Sequence, residues 1–290
     1  MLSARIVLIF ARLAVWEASR RRLLLAVAVL TLIVIAATAW GFSKLAGPTL
    51  DRGQPLSQTE LRVIASQLLI VIAFLFAAVL ALMAAVVGAP SISGELESGL
   101  ALALLARPVR RAEMVLGKWL GLGALLVVYA VLSGALELIV VDLTTSYLPP
   151  HPVQLIAYVT GVGLILLTLT LFLSTRLAGM TAGIVPLICY FMAWIGGIVG
   201  GAGQALANDT LTAIGTATNL LLPTDGLWRG AVYAMEPAAV VAGLQQAGPA
   251  AAASPFSAAH PPAPAFLVWT AVWFLAMLAL TLWSMHTREV

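Results

Sequence analysis

Charge is scarce in this chain, and where it gathers it could do chemistry. Between two long hydrophobic runs stands Ser93-Gly94-Glu95-Leu96-Glu97-Ser98-Gly99-Leu100, followed by Arg107-Pro108-Val109-Arg110-Arg111 and then Gly117-Lys118. Ser93 can cap a short helix with Glu95 and Glu97 in its first turn, where the helix dipole favours carboxylates. Leu100, Leu102, Leu104 and Leu105 give that helix an apolar surface, and Pro108 breaks the chain before Arg110 and Arg111. Carboxylates at one end, arginines at the other and leucines between them suit docking onto a partner's groove. A solvated loop with membrane-anchoring arginines would use the same residues. Bond-breaking chemistry has no comparable signal. Gly117-Lys118 is followed by Trp119 and lacks the upstream glycine of a phosphate-binding loop. Glu-x-x-His zinc motifs and Gly-x-Ser-x-Gly elbows are missing, and His151, His260 and His286 share no metal-ligand spacing. The single cysteine, Cys189, excludes an internal disulfide and a multi-cysteine metal site. The chain reads as non-catalytic, with no metal or cofactor of its own.

The elements that carry these residues are membrane spans. Hydrophobic residues make up 62% of the chain and charged ones 9%, with a mean hydropathy of +1.05, whereas soluble domains carry roughly 25% charged residues. A bilayer core about 30 Å thick needs about 20 apolar residues per helix. Six segments qualify: Leu23–Phe42, Ile64–Val87, Val115–Val141, Val153–Leu173, Met180–Gly201 and Phe266–Trp283. The expected fold is an all-α polytopic membrane protein forming one transmembrane domain over 1–290. Gly88, Pro90 and Gly94 are expected to end the second span, making 88–114 a loop between spans two and three. With the N-terminus inside, Arg5, Arg12, Arg20, Arg21, Arg22, Arg107, Arg110, Arg111, Lys118, Arg176 and Arg288 fall on the inner face, against Lys44, Arg52, Arg62 and Arg229 outside. The positive-inside rule then puts both termini in the cytoplasm. The pI of about 9.4 follows from this placement and does not imply nucleic acid.

Three further stretches carry expectations. In residues 1–22, Ile6, Ile9, Phe10, Leu13 and Trp16 share one helical stripe, as in an amphipathic helix lying in the cytoplasmic interface. The outer loop, 202–265, holds Thr224–Tyr233, read as a short interfacial helix with aromatic anchors, and then an Ala/Pro-rich stretch from Gly248 to Ala265, read as an extended mobile tether. Within the bilayer, Glu137 is open to a substrate or gating role, or to reaching the outer headgroups or a partner in the subunit. Gly196, Gly197, Gly200 and Gly201 form two overlapping small-xxx-small pairs that allow close helix approach.

Glu95-x-Glu97-x-Gly99, the leucine-rich stretch, Arg107-Pro108-Val109-Arg110-Arg111 and Gly117-Lys118 together resemble the cytoplasmic loop of ABC-2 type transporter permeases, the membrane subunits of type V ABC exporters. Leu100 stands where members of that family usually carry Thr. The resemblance implies that the loop is a coupling helix and that Glu95, Glu97, Gly99, Arg107, Arg110, Arg111 and Lys118 lie at or near the contact with a cytoplasmic ABC ATPase. ATP and magnesium would be bound by that partner, in two copies, beside a second permease subunit, in a prokaryotic cytoplasmic membrane. It further implies that spans two and five face the second permease and line the substrate path, with Phe74, Phe76, Tyr190, Phe191 and Trp194 as candidate lining residues alongside Glu137. Leu222-Pro223-Thr224-Asp225…Trp228-Arg229 is similar to a segment of the permeases that serve copper-site maturation of nitrous-oxide reductase, a subfamily likeness that carries no argument for copper. A scaffold of a different class, recruiting a cytoplasmic partner with no transport cycle, fits the same residues.

Overall fold

The computed structural model describes residues 3–20, 22–46, 57–97 and 110–287. Among these the chain forms ten α-helices and one 3-10 turn, with no strand. Helix α1 covers Ala4–Ser19, α2 Arg22–Ala46, α3 Gln58–Glu97, α4 Arg111–Thr145, α5 Pro152–Ser174 and α6 Gly179–Ala205. They are followed by α7 Asp209–Leu221, α8 Thr224–Met235, α9 Ala238–Ala247, the 3-10 turn Gly248–Ala253 and α10 Pro264–His286. Six of these, α2 to α6 and α10, are long and apolar enough to cross a membrane. The fold is therefore the expected all-α polytopic one.

Local chemistry explains several of the boundaries. Pro152 and Pro264 open α5 and α10 at the first helical position, where a missing N–H costs nothing. Asn208 caps α7 by accepting from Leu211 N at 3.1 Å. Packing places α3 and α5 at the centre, where Leu69, Ile70 and Leu80 meet Ile165, Leu166, Leu167 and Leu171, all nearly solvent-free. By contrast, α2 and α10 are peripheral, with only 17% and 11% of their most apolar windows buried.

Pro90 does not end the second span. Helix α3 runs on through Pro90 and Gly94 to Glu97, 40 residues in all, so the first part of the expected 88–114 loop is helical. Proline removes one backbone bond and crowds the preceding turn, but side chains brace the carbonyls around it. Ser91 and Ser93 donate their hydroxyls to Gly88 O and Ala89 O at 2.6 and 2.8 Å. The Lys118 ammonium on α4 donates to Ser91 O. At about 1.5 Å per residue, α3 is roughly 60 Å long, twice the hydrocarbon thickness.

Helix α1 also departs from its expected stripe. Phe10, Ala14 and Ala18 are buried, whereas Ile9, Leu13 and Trp16 are exposed. The buried side lies on α4 at Gly117 and Gly121. A methyl on Gly117 would come 2.4 Å from Phe10 Cβ, and one on Gly121 would come 2.3 Å from Ala11 O. Only glycine allows two backbones this close.

Candidate functional site

The chain presents two regions with functional geometry, one at each end of the bundle. At the first, the N-terminus, the start of α4, the α5–α6 turn and the end of α10 converge. Glu113 ties the first two together: its carboxylate accepts from Ser3 N at 2.7 Å and from Arg110 N at 3.1 Å. Arg111 donates to Met285 O at 3.1 Å, and Arg176 donates to Ser284 Oγ at 2.7 Å and Thr287 Oγ1 at 2.8 Å. Arg110, Arg111 and Arg176 therefore gather at one end of the bundle.

The docking residues inferred from the sequence separate here. Gly99 and Arg107 lie outside the described residues. Glu95 and Glu97 form the last turn of α3. Arg110 is exposed and Arg111 half-buried. Lys118 is 4% exposed, lies among Ala14, Glu17, Ala18, Val87, Ser91 and Leu122, and donates to the α3 backbone just after Pro90. A cation one turn into a span looks like a membrane anchor in the sequence, but its partner carbonyl is supplied by another helix. Glu113 was missed, although a glutamate three residues into α4 is the ordinary signature of a helix start.

Within one chain the substrate-path candidates fall in separate places. Phe74 and Trp194 do meet, with ring centroids 5.2 Å apart. Phe76 and Glu137 line a different, small cavity of about 40 Å³ with Ser133, Gly134, Leu155 and Val159. Glu137 is 3% exposed and neither carboxylate oxygen has a hydrogen-bond partner among the described residues. Tyr190 and Phe191 stack edge-on at 5.4 Å, the first buried and the second exposed.

The second region lies at the opposite end, in 202–265. Helix α7 folds back along α6. Gly200 faces Gly215, a methyl on it coming 2.8 Å from Gly215 Cα, and Gly196 faces Thr218. The glycine stripe thus serves contact within the chain. The carbonyls of Leu220 and Leu221, left over at the end of α7, accept from Trp269 Nε1 at 3.1 Å and Trp273 Nε1 at 2.8 Å on α10. Helix α8 is packed inside the protein: Leu227, Trp228, Ala231, Val232, Ala234 and Met235 are all buried.

Burying α8 also buries a charge. Asp225 is 3% exposed, and one of its oxygens accepts from Arg229 Nε at 3.0 Å. Arg229 also donates to Gly197 O at 2.8 Å. Burial pushes the Asp225 carboxyl above its ordinary value, with Arg229 pulling the other way. Its second oxygen, Oδ1, is buried without a partner and borders a cavity of about 210 Å³ shared with Gln204, Thr212, Thr216 and Asn219. This adjoins a larger crevice of about 610 Å³, with Gln204, Thr212 and Arg229 common to both.

The expected tether is also ordered. After the 3-10 turn, Pro255 O accepts from Trp228 Nε1 at 2.8 Å, and Ala258 N donates to Glu236 at 3.3 Å. Burial raises the Glu236 carboxyl to about 7, the bond from Ala258 N acting against it. Phe256 closes on Phe74, Trp194 and Trp228 at ring-centroid distances of 5.5, 6.4 and 6.4 Å.

Residues 16–290 match the family model described as ABC-2 family transporter protein. No curated protein matches the chain.

Proposed function

The chain belongs to the ABC-2 family of transporter proteins, and from that premise we propose that it is the permease subunit of an exporter driven by a separate ATPase. Membership makes it a multi-pass membrane component of an ABC transporter, associated with an ABC ATPase. The finer reading concerns where force enters. The observation that supports it most is the unbroken α3. One 40-residue helix joins the Glu95-x-Glu97 end to the centre of the bundle, so displacement at that end is passed to Leu69, Ile70 and Leu80 without a hinge at Pro90. The gathering of arginines at the same end supports a cytoplasmic location for it and for both termini.

The contact set on this reading is Glu95, Glu97, Gly99, Arg107, Arg110 and Arg111, on a coupling segment that returns the chain from α3 to α4. Two ATPase copies and a second permease, either a copy of this chain or a similar one, complete the assembly in a prokaryotic cytoplasmic membrane. ATP binding closes the ATPases, pushes the coupling segment and shifts the two permeases between inward-closed and outward-open packing.

The test is purification from native membranes in mild detergent, wild type beside Glu97→Arg. The expected outcome is a roughly stoichiometric ATP-binding protein with the wild type, lost with the variant while the variant itself still inserts and melts normally. An ATPase retained by Glu97→Arg overturns the docking assignment. A wild-type preparation with no ATPase, in detergent that preserves other complexes of the same membrane, favours the scaffold instead.

A further inference from the structure

The strap from Ser254 to His260 separates two compartments. On one side is an aromatic box formed by Phe74 of α3, Trp194 of α6 and Trp228 of α8, with Phe74 5.2 Å from Trp194 and 5.3 Å from Trp228. On the other is the polar crevice of about 610 Å³, whose wall includes Ser257, Ala258, Ala259 and His260. Helix α8 serves both: Trp228 closes the box and the next residue, Arg229, lines the crevice. Moving the strap would join the two.

Two details of the box point to a ligand. Phe256 is its one aromatic member not carried by a helix, and it is half-buried where Trp228 is 2% exposed. Beyond its ring contacts, its segment is held by the bond to Pro255 O, the longer one from Ala258 N, Ser257 Oγ donating to Ala251 O at 2.8 Å, and Gln245 Nε2 donating to Ala259 O at 3.1 Å near the strap's end. The second detail is the indole nitrogen of Trp194, a buried donor with no acceptor among the described residues. Buried donors are nearly always satisfied, since an unmade bond forfeits the full loss of hydration. Phe256 fills the volume but has no oxygen to offer.

We propose that the box and the crevice are the two halves of one extracytoplasmic binding site for an amphipathic molecule, with Phe256 holding the apolar half until the ligand displaces it. The apolar part enters between Phe74, Trp194 and Trp228 and brings an oxygen acceptor to the Trp194 N–H. The head lies in the crevice against Gln204, Thr212 and Arg229. It is neutral or zwitterionic, because Asp209, Asp225 and Arg229 bring both signs of charge to the cavity walls. The ligand's role as cargo rests on the transporter reading; its binding does not.

The test uses the full chain, purified in detergent without any ATPase, so that failure here is distinct from failure of the docking experiment. The probe is a lysophosphatidylcholine with a diazirine in its acyl chain, cross-linked by light and mapped by mass spectrometry. Saturable labelling of Trp228 and Trp194, competed by unlabelled lysophosphatidylcholine, is expected in the wild type. Phe256→Ala should increase it and Phe256→Trp decrease it. Trp194→Phe should weaken apparent affinity by roughly fivefold, the worth of one net hydrogen bond. Phe256→Leu, with a melting curve, controls for misfolding of the alanine variant. Labels confined to the exposed faces of α2 and α10, with no saturable label on Trp228 in wild type, Phe256→Ala or Phe256→Leu, overturn the proposal.

Discussion

Removing Arg229 should destabilise the protein through the charge it leaves behind. The Asp225 side chain is 2% exposed and that of Arg229 22%, so Arg229→Ala lets some water reach the guanidinium's place but leaves the carboxylate inside. Breaking a buried ion pair from one side costs about 3–5 kcal/mol; the partial exposure of Arg229 points to the lower end, about 3 kcal/mol, or a melting temperature lower by about 10 °C. The pH dependence identifies the cause. Burial already raises the folded-state pKa of Asp225, and losing Arg229 raises it further. A raised pKa means that the folded protein binds the proton more tightly, so stability falls as pH rises from the unfolded value through the folded one. The defect of Arg229→Ala should therefore be largest at pH 8 and shrink toward pH 5. Asp225→Asn combined with Arg229→Ala should recover most of the loss, since no charge is stranded. Melting curves of the purified chain in detergent at several pH values provide the assay. A loss independent of pH, or a double variant as unstable as the single one, would refute the reasoning.

Two other perturbations test separate parts of the structure. Gly121→Leu forces a side chain into the Ala11 backbone and should release α1 from α4 at about 1–3 kcal/mol, read as faster amide exchange across Ala4–Ser19 with the rest of the chain unchanged; unaltered exchange there would mean that the close approach is dispensable. Glu236 has a carboxyl raised to about 7, so it draws stability down as pH rises from about 4.5 to 7, by at most about 1.4 kcal/mol per unit. Glu236→Gln should flatten the melting profile over that window and equal or exceed the wild type at pH 8; a profile parallel to the wild type would exclude Glu236 as the titrating group.

The six spans were legible because twenty apolar residues in a row have few other uses, and Gly200 and Gly196 announced a close approach by their spacing. What stayed hidden depended on partners distant in sequence. Trp228 and Tyr233 beside Asp225 and Arg229 look like an interfacial belt until the Asp–Arg pair, one helical turn apart, neutralises itself and lets α8 sink. Pro90 is a helix breaker by local rules, and the Ser91 and Ser93 hydroxyls with Lys118 override them. The Ala/Pro composition of 248–265 matches that of a loose linker; an indole on α8 and the Glu236 carboxylate hold it in place. Arg110, Arg111 and Lys118 read alike as cations in the sequence, but the burial of Lys118 was hidden there because it depends on the Ser91 carbonyl of another helix.

The two indole bonds from α10 to the end of α7 impose an order on biogenesis. A ribosome makes α7 well before Trp269 and Trp273 exist. Until they arrive, the Leu220 and Leu221 carbonyls lack the acceptor role they have in the finished protein. The fold-back of α7 on α6 is thus completed only when the translocation machinery releases α10. A chain stalled before α10 would present an unfinished hairpin, the kind of exposed backbone that membrane quality-control proteases can recognise.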